Sequence, residues 1–284
     1  MKISHFPNNL PGNANEVYPQ LIDAIQATDT LVEGDMDADA ALIWSVLWYG
    51  KMSANKRVWD HYRAQNKPVI VIEVGGLIRN TTWKLGINGI NRDADFAVDA
   101  YMPGDRVQKF GIVLQPWKQD GEYVLICGQH GCSEQWRDMP VMDYYYRDTI
   151  EQIRKFTDKP IVVRSHPRYR ESLHWNCDMQ WYTEQGVTWN IPKHVQQTYD
   201  SFDLEHMLKH TQFTVSHSSN AGITSVIHGV PAIVSESSLA YDVGTSMGGW
   251  LSKPDRHNWL NRMTYTEWFA DEIGVQWNRI RNKL

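Results

Sequence analysis

Three short segments of the chain combine residue types that bind phosphate. Gly128-Gln129-His130-Gly131 offers two glycines, an amide and an imidazole. Arg164-Ser165-His166-Pro167-Arg168 offers two guanidiniums and an imidazole. Ser216-His217-Ser218-Ser219-Asn220 offers hydroxyls and an amide just ahead of a small, apolar run. Arginine makes charge-assisted, often bidentate bonds to phosphate oxygens. A serine before a helix caps it, and the free N–H groups of the first turn attract an anion. Together these groups describe a pocket for a diphosphate or phosphodiester, with Gln129, His130, Arg164, His166, Arg168, Ser216, Ser218, Ser219 and Asn220 as its candidate contacts. A fourth segment adds Glu236 and Ser238 for ribose hydroxyls and Tyr241 to flank a base. Taken singly, each segment reads equally as a helix cap, a surface arginine or an exposed loop. Their recurrence at successive strand ends is what points to a ligand.

The elements that position them follow from the apolar runs. EYVLIC (122–127), PIVVR (160–164), QFTV (212–215) and PAIV (231–234) read as buried strands, each running straight into one of the polar segments. Helices fit 143–156, 202–209 and 221–228, the last closed by Gly229. Ligands of open parallel sheets bind at the carboxyl ends of the strands. Upstream, ALIWSVLW (41–48) and PVIVIEV (68–74) flank a helical stretch near 56–65, which makes a βαβ unit. Residues 80–119 lack a clean period. Pro116 and the Asp120-Gly121 turn mark a boundary. The expected organisation is an N-terminal domain over 1–118, a C-terminal donor domain over 119–262, and helices over 263–284 that pack back on the first domain.

At the end of PVIVIEV, Glu73 is the leading candidate for a general base, with Asp37 and Asp39 in reserve. Glu73 also fits a structural role beside Arg79 or a helix N-terminus. Between Lys51 and Arg92 the chain carries eight cations and two anions, within a protein of net charge −5. Uniformly basic nucleic-acid binding is excluded, whereas a local anionic partner is not. Arg79, Trp83, Lys84, Asn88 and Arg92 form a cationic, aromatic and amide-rich segment suited to phosphates and stacked bases. The alternative is a core tryptophan among solvated cations.

Cys127, Cys132 and Cys177 fit neither a zinc site nor a disulfide framework and read as reduced thiols in a cytoplasmic protein. His206 and His210 lie one turn apart without the acidic residue of a zinc-protease helix, so no metal is expected. A P-loop and a GxGxxG fingerprint are both absent, against kinase and dehydrogenase chemistry. The opening MKISHFPNNL has no apolar core of a signal peptide, and no run is long enough to span a membrane.

RSHPR (164–168), SSNAG (218–222) and GVPAIV (229–234) resemble the donor half of GT-B glycosyltransferases, closest to the capsule-type sialyl and Kdo transferases with HP and SS motifs. The resemblance implies an α/β fold of two Rossmann-like domains with a cleft between them. It also implies phosphate contacts from His166, Pro167, Ser218 and Ser219, a UDP- or CMP-sugar as donor substrate, and no cofactor. That family takes its base from a Glu-Asp-Gly motif; here Glu73-Val74-Gly75 has valine in the middle. The segments 37–48, 67–92, 126–130 and 229–243 further resemble glycosyltransferase-like proteins of tailed phages, some of which glycosylate 5-hydroxymethylpyrimidines in viral DNA. The leading expectation is therefore a DNA-modifying glycosyltransferase acting on double-stranded DNA in the host cytoplasm. The alternatives are a transferase acting on a surface glycan and a non-catalytic nucleotide-binding protein.

Overall fold

The computed structural model describes residues 1–99, 102–168, 178–194, 203–249 and 251–284. Cys177 and Phe202 lie outside the described residues. In chain order the first elements are β1 (Lys2–His5), α1 (Tyr18–Gln26), β2 (Thr30–Glu33), β3 (Ala40–Trp44), α2 (Asn55–Ala64), β4 (Val69–Val74), β5 (Thr82–Ile87) and α3 (Asp105–Phe110). Next come β6 (Tyr123–Cys127), α4 (Met142–Arg154), β7 (Ile161–Arg164), α5 (Met179–Glu184), β8 (Val187–Asn190) and α6 (Leu204–Leu208). The last are β9 (Thr211–Ser216), α7 (Asn220–Ile227), β10 (Ala232–Val234), α8 (His257–Met263), β11 (Glu267–Phe269) and α9 (Ile273–Arg281).

Two compact units result. One comprises 1–111, 132–134 and 260–284; the other comprises 112–131 and 135–259. The first boundary thus falls at 111/112 rather than 118/119. The second falls inside α8 rather than at 262/263.

The N-terminal unit has a six-stranded sheet in the order β11-β5-β4-β3-β1-β2. β2, β1, β3 and β4 are parallel, while β5 is antiparallel to both β4 and β11. This sheet is therefore mixed, because β4 and β5 are joined by a short connection that reverses the chain instead of a crossover helix. Strand side chains alternate between two faces. Ile70, Ile72, Trp83 and Leu85 pack on one side with Leu21 and Ile25 of α1 and with Ile273, Trp277 and Ile280 of α9. Ala41, Ile43, Val69 and Val71 pack on the other with Val58, Trp59 and Tyr62 of α2. Helices on both faces explain why β3 and β4 read as continuous apolar runs.

The C-terminal unit has a wholly parallel sheet in the order β10-β9-β6-β7-β8. Val124, Ile126, Val163 and Val215 face Tyr146, Ile150 and Ile153 of α4. Leu125 and Cys127 face Leu208 of α6 and Ala221 of α7. From β6 the chain builds outward through β7 and β8, then returns to lay β9 and β10 on the other side. The strand order reverses between β6 and β9, which is where open α/β sheets form a crevice.

The C-terminal helix α9 is anchored by Trp277, which is fully buried and donates from Nε1 to Thr28 Oγ1 at 2.9 Å. Truncating a buried tryptophan forfeits its transfer energy and opens a cavity. Trp277→Ala should lower unfolding free energy by about 3–5 kcal/mol, read as a reduced urea midpoint; a loss below ~1 kcal/mol would mean α9 contributes little to this core.

Candidate functional site

In the C-terminal unit, the loops after β6, β7 and β9 carry the polar groups. Gly128 N–H donates to Arg164 O at 2.8 Å, which ties the β6 loop to the end of β7. A Cβ at Gly128 would collide with Tyr146 Oη, so this approach requires glycine. At the reversal point, Gln129 and Ser218 grip each other. Gln129 Nε2 donates to Ser218 Oγ at 3.1 Å, and Ser218 N–H donates to Gln129 Oε1 at 3.1 Å. Both are buried. Bonded to each other, they fix the β6 and β9 ends side by side.

Ser218 thereby hands the helix start to its neighbours. Ser219 is the N-cap of α7, its Oγ accepting from Ala221 N–H at 3.3 Å. Ser219 and Asn220 are half-buried. Gly222 lets α7 approach the sheet: a Cβ there would meet Val234 Cγ1 at 3.0 Å and Ser216 Oγ at 3.3 Å. The result is an eight-residue helix beginning at a strand end, a geometry that favours anions.

On the other flank of β6, Arg168 N–H donates to His166 Nδ1 at 3.2 Å. With Nδ1 accepting, the neutral ring carries its proton on Nε2, which makes that atom a hydrogen-bond donor. The His166 ring meets His130 edge-on with centroids 5.4 Å apart. Burial, with a further push from the Arg168 cation, lowers His130 to about 4. His166 and Arg168 are half-buried, and His130 is buried. His217 is lowered by burial, while its hydrogen bond to Gln135 O opposes the shift.

Several expected donor contacts have other employment. Arg164 is buried, with Nη2 paired to Asp203 Oδ1 at 2.7 Å and Nη1 bonded to Asn190 Oδ1. Its charge is thus paired inside the fold, where it ties the end of β7 to Asn190 of β8 and to Asp203 ahead of α6. Ser216 is buried beneath Gly222, and Ser238 is buried with its Oγ accepting from Ala240 N–H at 3.1 Å. Glu236 is exposed and Tyr241 half-buried in the loop after β10.

In the N-terminal unit, the carboxyl ends of β3 and β4 bring Ser45 and Glu73 together. Ser45 Oγ donates to Glu73 Oε2 at 2.5 Å, and Val74 N–H donates to Glu73 Oε1 at 2.8 Å. Ser45 has φ +62°, a left-handed conformation that disfavours side chains other than Gly, Asn and Asp. Such strain concentrates at functional positions. Asp37 and Asp39 lie elsewhere, in the exposed loop leading into β3. Asp39 Oδ2 accepts from Lys2 N–H at 2.7 Å, at the amino end of the strand. Neither reserve base accompanies Glu73.

The segment from Arg79 to Arg92 is not an open cationic face. Trp83 is 4% exposed and Lys84 1% exposed. They lie on opposite faces of β5, Trp83 within the apolar core. Asn88 is at φ +61° and its Oδ1 accepts from Val69 N–H at 2.9 Å, a turn role. Arg79 and Arg92 alone of the five are exposed.

Glu267 is the residue that sequence reasoning missed. It is fully buried, and its carboxylate accepts from Gly76 N–H at 2.7 Å, Leu77 N–H at 3.0 Å and Thr82 Oγ1 at 2.8 Å. A Cβ on Gly75 would collide with that carboxylate. The Gly75-Gly76 pair therefore serves a buried acidic group that lies far away in sequence, which no local pattern reveals. Among the described residues there is no group of three or more His, Cys, Asp or Glu side chains able to hold a metal ion. Nor is any helix among them long and apolar enough to cross a membrane.

No protein-family model matches the chain, and no curated protein matches it in sequence. Among solved structures it is similar to the KpsC β-Kdo 2,4 transferase of Thermosulfurimonas dismutans, with TM-score 0.56 and 13% identity over 99% of this chain and 98% of that one. It is also similar to the KpsC β-Kdo 2,7 transferase of the same organism, with TM-score 0.54 and 12% identity over 99% of this chain and 100% of that one. Likeness at such identity is a likeness of fold. The chain has an α/β, GT-B-like fold of the kind found in those glycosyltransferases.

His130 supplies a pH prediction. Its folded value lies below the ordinary 6.5, so the unfolded chain binds the extra proton first. The stability it contributes is complete above pH 6.5 and is lost as pH falls toward about 4. Urea titrations should show wild-type stability falling across that window, with a shallower fall in His130→Gln. Equal slopes would contradict the assignment.

Proposed function

We propose that this protein is a glycosyltransferase that moves a sugar from a nucleotide-sugar to an acceptor hydroxyl, and that the acceptor is a saccharide. The observation that carries the reading is the convergence of donors at neighbouring strand ends. The His166 ring, its Nδ1 accepting from Arg168 N–H, presents Nε2–H, Arg168 presents a guanidinium, and the amino end of α7 contributes its dipole with Ser219 and Asn220. When a glycosyl–phosphate bond breaks, negative charge builds on the departing phosphate, and preorganised donors there stabilise the transition state. No metal enters this reading. Glu73, oriented by Ser45, takes the acceptor proton. The roles of His166, Arg168, Ser219 and Asn220 rest on this chemistry and on the resemblance of the HP and SS motifs.

The saccharide acceptor is favoured over a DNA base for two reasons. The chains with which it shares a fold are named as Kdo transferases. The segment assigned to DNA keeps only Arg79 and Arg92 at the surface, since Trp83 and Lys84 are buried. Base stacking and phosphate contact both need exposed groups.

Two measurements test the reading. Thermal unfolding against a panel of CMP- and UDP-sugars should single out one donor, because a ligand bound only by the folded state raises its melting temperature. Arg168→Gln should weaken that donor on the order of tenfold or more, the worth of a hydrogen bond to a charged group. Glu73→Gln should leave the thermal shift intact and cut transfer to a saccharide acceptor on the order of 100-fold or more. Donor binding without turnover by wild type would instead mark a nucleotide-binding protein. Transfer to 5-hydroxymethylated duplex DNA, absent with saccharides, would reverse the acceptor assignment.

A further inference from the structure

The strongest unassigned feature is a row of three ionisable side chains across the N-terminal sheet. Glu73 of β4 pairs in register with Lys84 of β5, and Lys84 pairs in register with Glu267 of β11. Directly opposed residues on neighbouring strands point to the same face with Cβ atoms about 4.5–5.5 Å apart. Lys84 therefore stands between two carboxylates. It is 1% exposed, and Glu267 is fully buried. A buried ammonium is costly unless paired. Here burial disfavours the ammonium and holds the lysine below its ordinary value, while the carboxylates of Glu267 and Glu73 oppose that shift. Arg79, from the turn between β4 and β5, is the other charge acting on it. From α2 the buried residues on this side are Asn55, Val58, Trp59 and Tyr62, and the Tyr62 hydroxyl is committed to Asp35 O at 2.6 Å. Near Ser45, the Glu134 carboxylate accepts from Trp48 Nε1 at 3.0 Å.

We propose that Lys84 is the positioning residue of the base: its ammonium is shared between Glu73 and Glu267 and couples the carboxylate at the end of β4 to the turn that follows. Glu267 accepts from the amides of Gly76 and Leu77, Ser45 Oγ donates to Glu73 Oε2, and Lys84 stands in register between the two carboxylates and acts on them through its charge. Removing Glu267's charge removes a competitor for Lys84, while removing Lys84's charge takes away the cation that stands between the two carboxylates. The two changes therefore act on Glu73 with opposite sign. A purely structural contribution would not do this. The assignment of Glu73 as base rests on the proposed function; the charge row itself does not.

The test uses the full chain labelled with 13C and 15N at lysine, so that the Lys84 ammonium is followed by NMR as pH is raised. Both Glu73→Gln and Glu267→Gln should lower the Lys84 midpoint by about one pH unit or more, the usual effect of an opposite charge at this range. Glu267→Gln retains a side-chain oxygen for the Gly76 and Leu77 amides, so this variant should remain folded. In parallel, the pH dependence of transfer from the donor found by thermal shift is measured. The acid limb should move to lower pH in Glu267→Gln and to higher pH in Lys84→Met, with Lys84→Arg restoring part of the loss. Unchanged Lys84 midpoints in both glutamine variants, or acid limbs moving in the same direction, would overturn the proposal even if Glu73→Gln abolishes transfer. Lowered midpoints with transfer surviving in Glu73→Gln would instead keep the charge row and refute Glu73 as the base.

Discussion

The grip of Gln129 on Ser218 is the constraint from which the candidate donor site follows. It joins the ends of β6 and β9 where the strand order reverses, and it consumes the side chains that would otherwise compete for a ligand there. With that pair closed, Ser219 falls at the N-cap of α7, and Gly222 seats the helix against β9 and β10. On the other flank, the hydrogen bond from Gly128 to Arg164 O sets the β6 loop beside the β7 loop, where His166 and Arg168 lie. Three segments separated in sequence thus share one end of one sheet because parallel strands must all point the same way.

Charge compensation explains where the buried arginines sit. Arg164 is matched by Asp203, and its position at a strand end is no guide to its role. Arg106 is sandwiched in the same manner: its guanidinium stacks 3.9 Å from the Trp268 ring centroid and donates to Thr264 O and Glu267 O. Arginines so placed hold elements together. His166 and Arg168 lie half-buried in the loop after β7, tied together by the bond from Arg168 N–H to His166 Nδ1. In the N-terminal unit, Ser45 and Glu73 are hydrogen-bonded at the ends of β3 and β4.

What the sequence revealed, and what it concealed, divides along the same line. The parallel strands with uninterrupted apolar runs, β3, β4, β6, β7, β9 and β10, are legible because both faces are covered by helices. β5 was not legible. TWKLGI is buried along its whole length, yet it contains a lysine and a glycine, and glutamates of β4 and β11 stand in register with that lysine. For the same reason the sequence alone presents Lys84 and Trp83 as nucleic-acid contacts, although both are buried. Motif spacing found the HP and SS loops, but it could not show that Arg164 is paired by Asp203 from a distant segment. Glu267 was hidden for a similar reason, since its partners sit on a turn at the other end of the chain.

The central claim is that an anionic donor binds at the carboxyl ends of β6, β7 and β9. Amide chemical shifts of the labelled protein, followed while CMP or UDP is added, test it most directly. The account predicts that the largest changes fall on residues 128–131, 165–168 and 218–222 and saturate together with one affinity. Saturable changes centred elsewhere, or none at these three loops with either nucleotide, would contradict it.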